Sequence, residues 1–120
     1  MEKIHKYIVL ATKFSLRILT RAFLWFLDGT FKVMPKNYKQ IYLFIAKYDD
    51  HSVPCLYLIL NSKNEVLYNA AFGHVKNLCK IYHYTIETKE VMLDYELAPR
   101  NAIKYIFGDL KPKDDYFHFD

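Results

Sequence analysis

Residues 23–50 read F-L-W-F-L-D-G-T-F-K-V-M-P-K-N-Y-K-Q-I-Y-L-F-I-A-K-Y-D-D, and this stretch decides the fold. Its first apolar run, Phe23 to Leu27, is halted by Asp28, Gly29 and Thr30. A second run, Ile41 to Ala46, follows a basic turn around Pro35. The two runs read as central strands over about 24–31 and 40–48. A buried strand that ends in an acid beside a tight turn holds a charge at the rim of a sheet. The partner of Asp28 therefore becomes the question for the rest of the chain.

Downstream, Asp49-Asp50-His51-Ser52 is a polar turn, and Val53 to Leu60 is a third apolar strand. Two short turns between three such runs predict an antiparallel meander. Pro35 and Pro54 belong at strand edges or starts, where a missing N–H is tolerated. Ser62-Lys63-Asn64-Glu65 has the spacing of a capping box and predicts a helix over about 63–80. Tyr68, Ala71, Phe72, Val75, Leu78, Cys79 and Tyr82 recur at the helical period, marking its buried stripe. His74 lies beside that stripe as a packed or solvent-facing residue. Glu90 to Tyr95 is a further strand that contains a second acid, Asp94. A helix over about 97–107 follows, with Ala98, Ala102, Ile103, Ile106 and Phe107 inward and Gly108 as its stop. Pro99 must sit in its first turn, since an interior proline costs ~3 kcal/mol. Lys111-Pro112-Lys113 then turns the chain into a last short strand, Tyr116 to Phe119.

Upstream, Tyr7 to Ala11 is β-branched and apolar, a short strand. Thr12 can cap a helix over about 13–22, with Lys13, Arg17 and Arg21 on one face. The order is thus a three-stranded meander, helix, strand, helix, strand. That is the pattern of a ribonuclease H-like α/β mixed sheet, in which the first meander strand and the strand after the first helix are neighbours.

With 120 residues, the chain is expected to be one domain, 1–22 forming a leading strand and helix and 23–120 the core. It is 52% hydrophobic and 25% charged, ample for a core, and its 3 glycines and 4 prolines argue against low complexity. Cys55 and Cys79 lack metal spacing and read as small buried thiols in a reducing compartment. No secretory signal or apolar run of about 18–20 residues is present, so no membrane partner is expected. The net charge of +4 is uneven. Residues 1–22 set five basic residues against Glu2, residues 23–80 set seven against four acids, and residues 81–120 set five against eight. A basic front and an acidic tail suit a polyanion partner together with a carboxylate or cation site.

If the two acid-ended strands are neighbours, Asp28 and Asp94 meet at the sheet's rim. Two carboxylates so close are tolerated when protonated or bridged by a cation. Hard oxygen ligands favour Mg²⁺ or Mn²⁺, and a pair of such ions suits phosphodiester cleavage.

The ordered blocks W-F-L-D-G-T-F-K-V-M-P-K, Q-I-Y-L, V-P-C-L-Y-L-I-L and L-D-Y-E-L-A-P-R-N-A-I-K-Y-I-F resemble the Mutator-like element (MULE) transposase domain. The resemblance runs from about residue 7 to 119. It implies that Asp28 and Asp94 are the first two acids of a DDE-type triad, binding Mg²⁺ or Mn²⁺. It implies that Asp115-Tyr116-Phe117-His118 matches a motif of Cys or Asp, two residues, then His. His118 would then contact DNA or position a phosphate. Glu96 matches a recurrent family residue, although a helix-start acid is the simpler account. Lys32, Lys36 and Lys39 follow Asp28 and could touch phosphate backbone, or form a solvated basic turn.

The implied activity of the parent enzyme is two-metal hydrolysis at transposon ends and strand transfer into target DNA, in the nucleus. The family's third acid, a downstream glutamate, has no counterpart in these residues, nor does its zinc-finger module. The 120-residue chain is therefore expected to be a partial core, inactive alone. A host-recruited DNA- or protein-binding domain without chemistry is the alternative. One sheet face is expected to lack its covering helix, which favours self-association.

Overall fold

A computed structural model describes residues 6–30, 38–93 and 96–113. Strand β1 (Tyr7–Ala11) and helix α1 (Lys13–Arg21) lead into a meander of β2 (Leu24–Thr30), β3 (Gln40–Lys47) and β4 (Ser52–Leu60). Helix α2 (Glu65–Ile81), strand β5 (Glu90–Leu93), helix α3 (Leu97–Ile106) and strand β6 (Lys111–Lys113) follow. The strands form one six-stranded sheet in the order β1-β4-β3-β2-β5-β6. The meander is antiparallel, and β5 joins β2 in parallel, as the βαβ crossover through α2 requires. The leading strand adds to the meander's outer edge, pairing Tyr7 with Leu60 through Ala11 with Leu56.

Period-2 alternation sets the two faces. Trp25 and Leu27, Tyr42, Phe44 and Ala46, Leu56, Leu58 and Leu60, and Val91 and Leu93 are buried together. The apolar stripe of α2 packs on this face through Leu67, Tyr68, Ala71, Phe72, Val75 and Cys79, and α3 adds Ala102 and Ile103. Trp25 is the pivot, edge-on to Phe44 at 5.6 Å and to Phe107 at 5.4 Å. Its Nε1 donates to the Leu19 carbonyl at 2.8 Å, which ties α1 to the start of β2. On the opposite face, Leu24, Phe26, Ile41, Leu43, Ile45 and Ile59 are half-buried. Ile8, Leu10 and Tyr57 there are 38%, 49% and 41% exposed, so this face is apolar but open among the described residues.

Several local expectations hold. Thr12 caps α1 in a reciprocal box with Ser15, and Pro99 occupies the first turn of α3. Pro54 lies near the start of β4, outside the stretch paired with β1 and next to the bulge at Phe44/Ile45. Both cysteines are free and buried, and burial pushes each thiol up to about 11. His74 is exposed and shares a 3.1 Å hydrogen bond with the Tyr7 hydroxyl.

Three expectations are corrected. Helix α2 starts at Glu65, capped by Asn64, whose side chain accepts from the Val66 N–H at 2.7 Å. Ser62 instead accepts from the Asn64 N–H at 3.0 Å, a local turn, and Glu65 accepts from Asn101 Nδ2 at 2.7 Å. Serine and asparagine are nearly equal caps, so a tertiary contact to α3 decides between them. Gly108 follows α3 but takes no positive φ, so it is not a left-handed stop; the positive φ in the described chain is at His83, 60°. Lys111–Lys113 is a parallel strand beside β5 rather than a turn. Pro112 is tolerated there because β6 is an edge. Tyr116–Phe119 lies outside the described residues.

Candidate functional site

Strand β2 carries Asp28 between two neighbours. On one side Asp28 pairs with Leu43 of β3. On the other the parallel ladder runs Leu24↔Glu90, Trp25↔Val91, Phe26↔Met92 and Leu27↔Leu93. Leu27↔Leu93 is its last pair among the described residues, and in the sequence an aspartate follows each of them. Trp25 and Leu27 point into the helix layer, so alternation turns Asp28, which is half-buried, toward the opposite face. A carboxylate there is held by a central strand that is paired with β3 at this position. Asp94, Lys32, Lys36 and His118 lie outside the described residues. Lys39 is exposed on the lead into β3, and its N–H donates to the Leu60 carbonyl at 2.8 Å. Because β3 begins opposite the end of β2, Lys39 and Asp28 share one end of the sheet.

The glycine after Asp28 has a packing role. An added Cβ at Gly29 would overlap Gln40 Nε2 and come within 3.1 Å of the Tyr42 ring. Gln40 is fully buried on the inward side, and its Oε1 accepts from the Tyr68 hydroxyl at 2.8 Å. Its Nε2 has no partner among the described residues. Burial, then the nearby Glu96 carboxylate, push the Tyr68 phenol well above its usual range. Glu96 is the N-cap residue of α3 yet makes no side-chain cap hydrogen bond. Glu96 thus stands at the start of α3, as the helix-start reading expects, where its charge faces the helix N-terminus without a capping hydrogen bond.

Gln40 and Tyr68 were not singled out from the sequence. The signal was present, since Gln40 falls on the inward parity of Q-I-Y-L-F-I-A-K together with Tyr42, Phe44 and Ala46. A glutamine at a core position across from a glycine marks a polar contact that hydropathy patterns overlook. Among the described residues no three His, Cys, Asp or Glu side chains gather as a metal group. No described helix is long and apolar enough to cross a membrane.

No curated protein matches the chain. The family model for the MULE transposase domain matches residues 24–120, from the first residue of β2 onward. The match covers strands β2 to β6 and helices α2 and α3, so the chain belongs to the MULE transposase domain family.

Proposed function

We propose that this domain is the carboxylate-bearing core of a ribonuclease H-like, DDE-type transposase acting on DNA. The observation that carries the reading is the parallel β2–β5 ladder, whose last described pair, Leu27↔Leu93, is followed in the sequence by Asp28 and Asp94. If that register continued by one residue, Asp94 would stand beside Asp28, with neighbouring strands ~4.8 Å apart. The strand order β4-β3-β2-β5-β6, a meander followed by parallel additions, supports the ribonuclease H-like assignment.

Two adjacent carboxylates are an all-oxygen donor set that fits Mg²⁺ or Mn²⁺, and Asp28 and Asp94 would hold such ions. When bound, the ions supply activation of the attacking oxygen and stabilisation of the leaving one. The chain's own residues do the positioning. Asp28 is fixed by its central strand, and Gly29 lets β2 lie close against Gln40 and Tyr42. Lys39 sits at the same end, where an ammonium attracts a phosphate. Lys32, Lys36 and His118 are proposed for the same phosphate-binding role. DNA at transposon ends and targets is the partner, and the nucleus the place of action. The 120 residues offer two acids where the reaction uses three, so this polypeptide by itself is expected to be inert.

Mn²⁺ titration followed by paramagnetic line broadening tests the site. Broadening should centre on the ends of β2 and β5 and vanish in Asp28→Asn and in Asp94→Asn. Unchanged broadening in the double variant would refute the metal site. DNA binding that survives the double variant while the wild type binds no Mn²⁺ would favour the non-catalytic alternative. Mg²⁺-dependent nicking by the 120-residue chain, lost in Asp28→Asn, would overturn the expected inertness.

A further inference from the structure

At the opposite end of the sheet lies a cleft of about 640 Å³, between the C-terminal turns of α2, the 84–89 connector and the turn after α3. Cys79, Thr88, Phe107 and Leu110 are buried around its floor. Three exposed lysines, Lys76, Lys80 and Lys89, stand around it against a single acid, Asp109. Lys76 is held in place, its Nζ donating to the Ile106 carbonyl at 2.9 Å. Lys80 and Lys89 make no side-chain hydrogen bond to described residues, so their ammonium groups are available to a ligand.

The cleft does not end the positive charge. Helix α1 crosses beside it: the Glu87 N–H donates to the Thr20 carbonyl at 2.8 Å and the Lys89 N–H to the Phe23 carbonyl at 2.9 Å. Lys13 lies 5.6 Å from the Tyr82 ring, at the C-terminus of α2. Lys13, Arg17 and Arg21 follow at four-residue spacing, a stripe ~12 Å long along one helix face. The acids near this band are Glu87 and Asp109, with Glu90 at the start of β5 and Asp49 and Asp50 at the β3–β4 turn. Asp50 is already engaged by His51, whose hydrogen bond lowers its carboxyl below the usual range.

We propose that the cleft and the α1 stripe form a second DNA-backbone contact, separate from the Asp28 end. A single small anion would use one lysine cluster. A line of cations continuing from cleft to helix matches a polyanion, since duplex DNA presents a charge about every 1.7 Å. Asp28 is four residues along β2 from Leu24, roughly 13 Å away, so the two surfaces touch different stretches of one duplex. This inference rests on the DNA-binding reading of the family, and the test separates the two.

The probe is a fluorescein-labelled 30-base-pair duplex of arbitrary sequence, titrated with the chain at several salt concentrations and followed by anisotropy. Lys80→Ala/Lys89→Ala should lower the slope of log affinity against log salt by about 1.8. Lys80→Arg/Lys89→Arg should keep the wild-type slope, and circular dichroism should show all variants folded. Duplex binding by the wild type with an unchanged slope in the alanine pair sinks the second contact and leaves the DNA reading intact. No wild-type binding even at low salt sinks both.

Discussion

Gly29→Ala is the substitution whose effect follows most directly from the structure. A methyl at residue 29 would overlap Gln40 Nε2 and press within 3.1–3.2 Å of the Tyr42 ring. Gln40 is the end of a flexible side chain, but it is fully buried and anchored through Tyr68 at 2.8 Å. Moving it away breaks that bond and leaves a buried hydroxyl unpaired, at about 1–3 kcal/mol. Compression of the remaining contacts adds about 1 kcal/mol or more. Replacing a strand glycine offsets roughly 0.5–1 kcal/mol through the unfolded chain. The net expectation is a loss of about 1–3 kcal/mol. Urea denaturation should show a lower midpoint with an unchanged slope. In a Gln40→Ala background the overlap is gone, and only the Tyr42 contact remains. The added cost of Gly29→Ala should there fall below about 1 kcal/mol, a coupling of 1 kcal/mol or more. Equal losses in both backgrounds would show that Gln40 is not what Gly29 makes room for. A stabilised single variant would refute the whole packing argument.

Two further outcomes are expected. Burial raises the Cys55 and Cys79 thiols from 9.0 to about 11, so the folded state holds their protons longer than the unfolded one. The stability this adds is fully present below pH 9 and is lost as pH rises toward 11. Urea midpoints should fall across that window and flatten in Cys55→Ala/Cys79→Ala; an identical fall in the variant would disprove the assignment. The open sheet face predicts self-association of the 120-residue chain. Sedimentation should show concentration-dependent dimers or larger species that diminish in Ile8→Lys/Leu10→Lys, and a monodisperse wild-type monomer would count against it.

Elements were legible where one period dominated. The inward parity of β3 and the stripe of α2 are both written in residue spacing, and so is the meander between them. Their ends were less so. Asn64 displaced Ser62 as a cap, and Lys111–Lys113 became a strand, because each depends on a neighbour brought up by the fold. Asn101 occupies Glu65 in the first case, and β5 offers a free edge in the second. The Gly29–Gln40–Tyr68 contact joins three elements and has no local signature. The cleft lysines were equally hidden, since Lys89 is nine residues from Lys80 and only the connector's return along α1 brings them together.

By itself, the sequence determined most of the strands and helices, that Asp28 and Asp94 each follow an apolar run, and the family the motifs resemble. Those follow from local spacing and side-chain type, which the chain carries without being folded. The tertiary structure alone decided the parallel register that pairs Leu27 of β2 with Leu93 of β5. It also decided which face stays open and where the basic cleft forms. Pairing and burial are non-local: they depend on which segments pack together, and the helix layer had to choose one face of the sheet before the other could be identified.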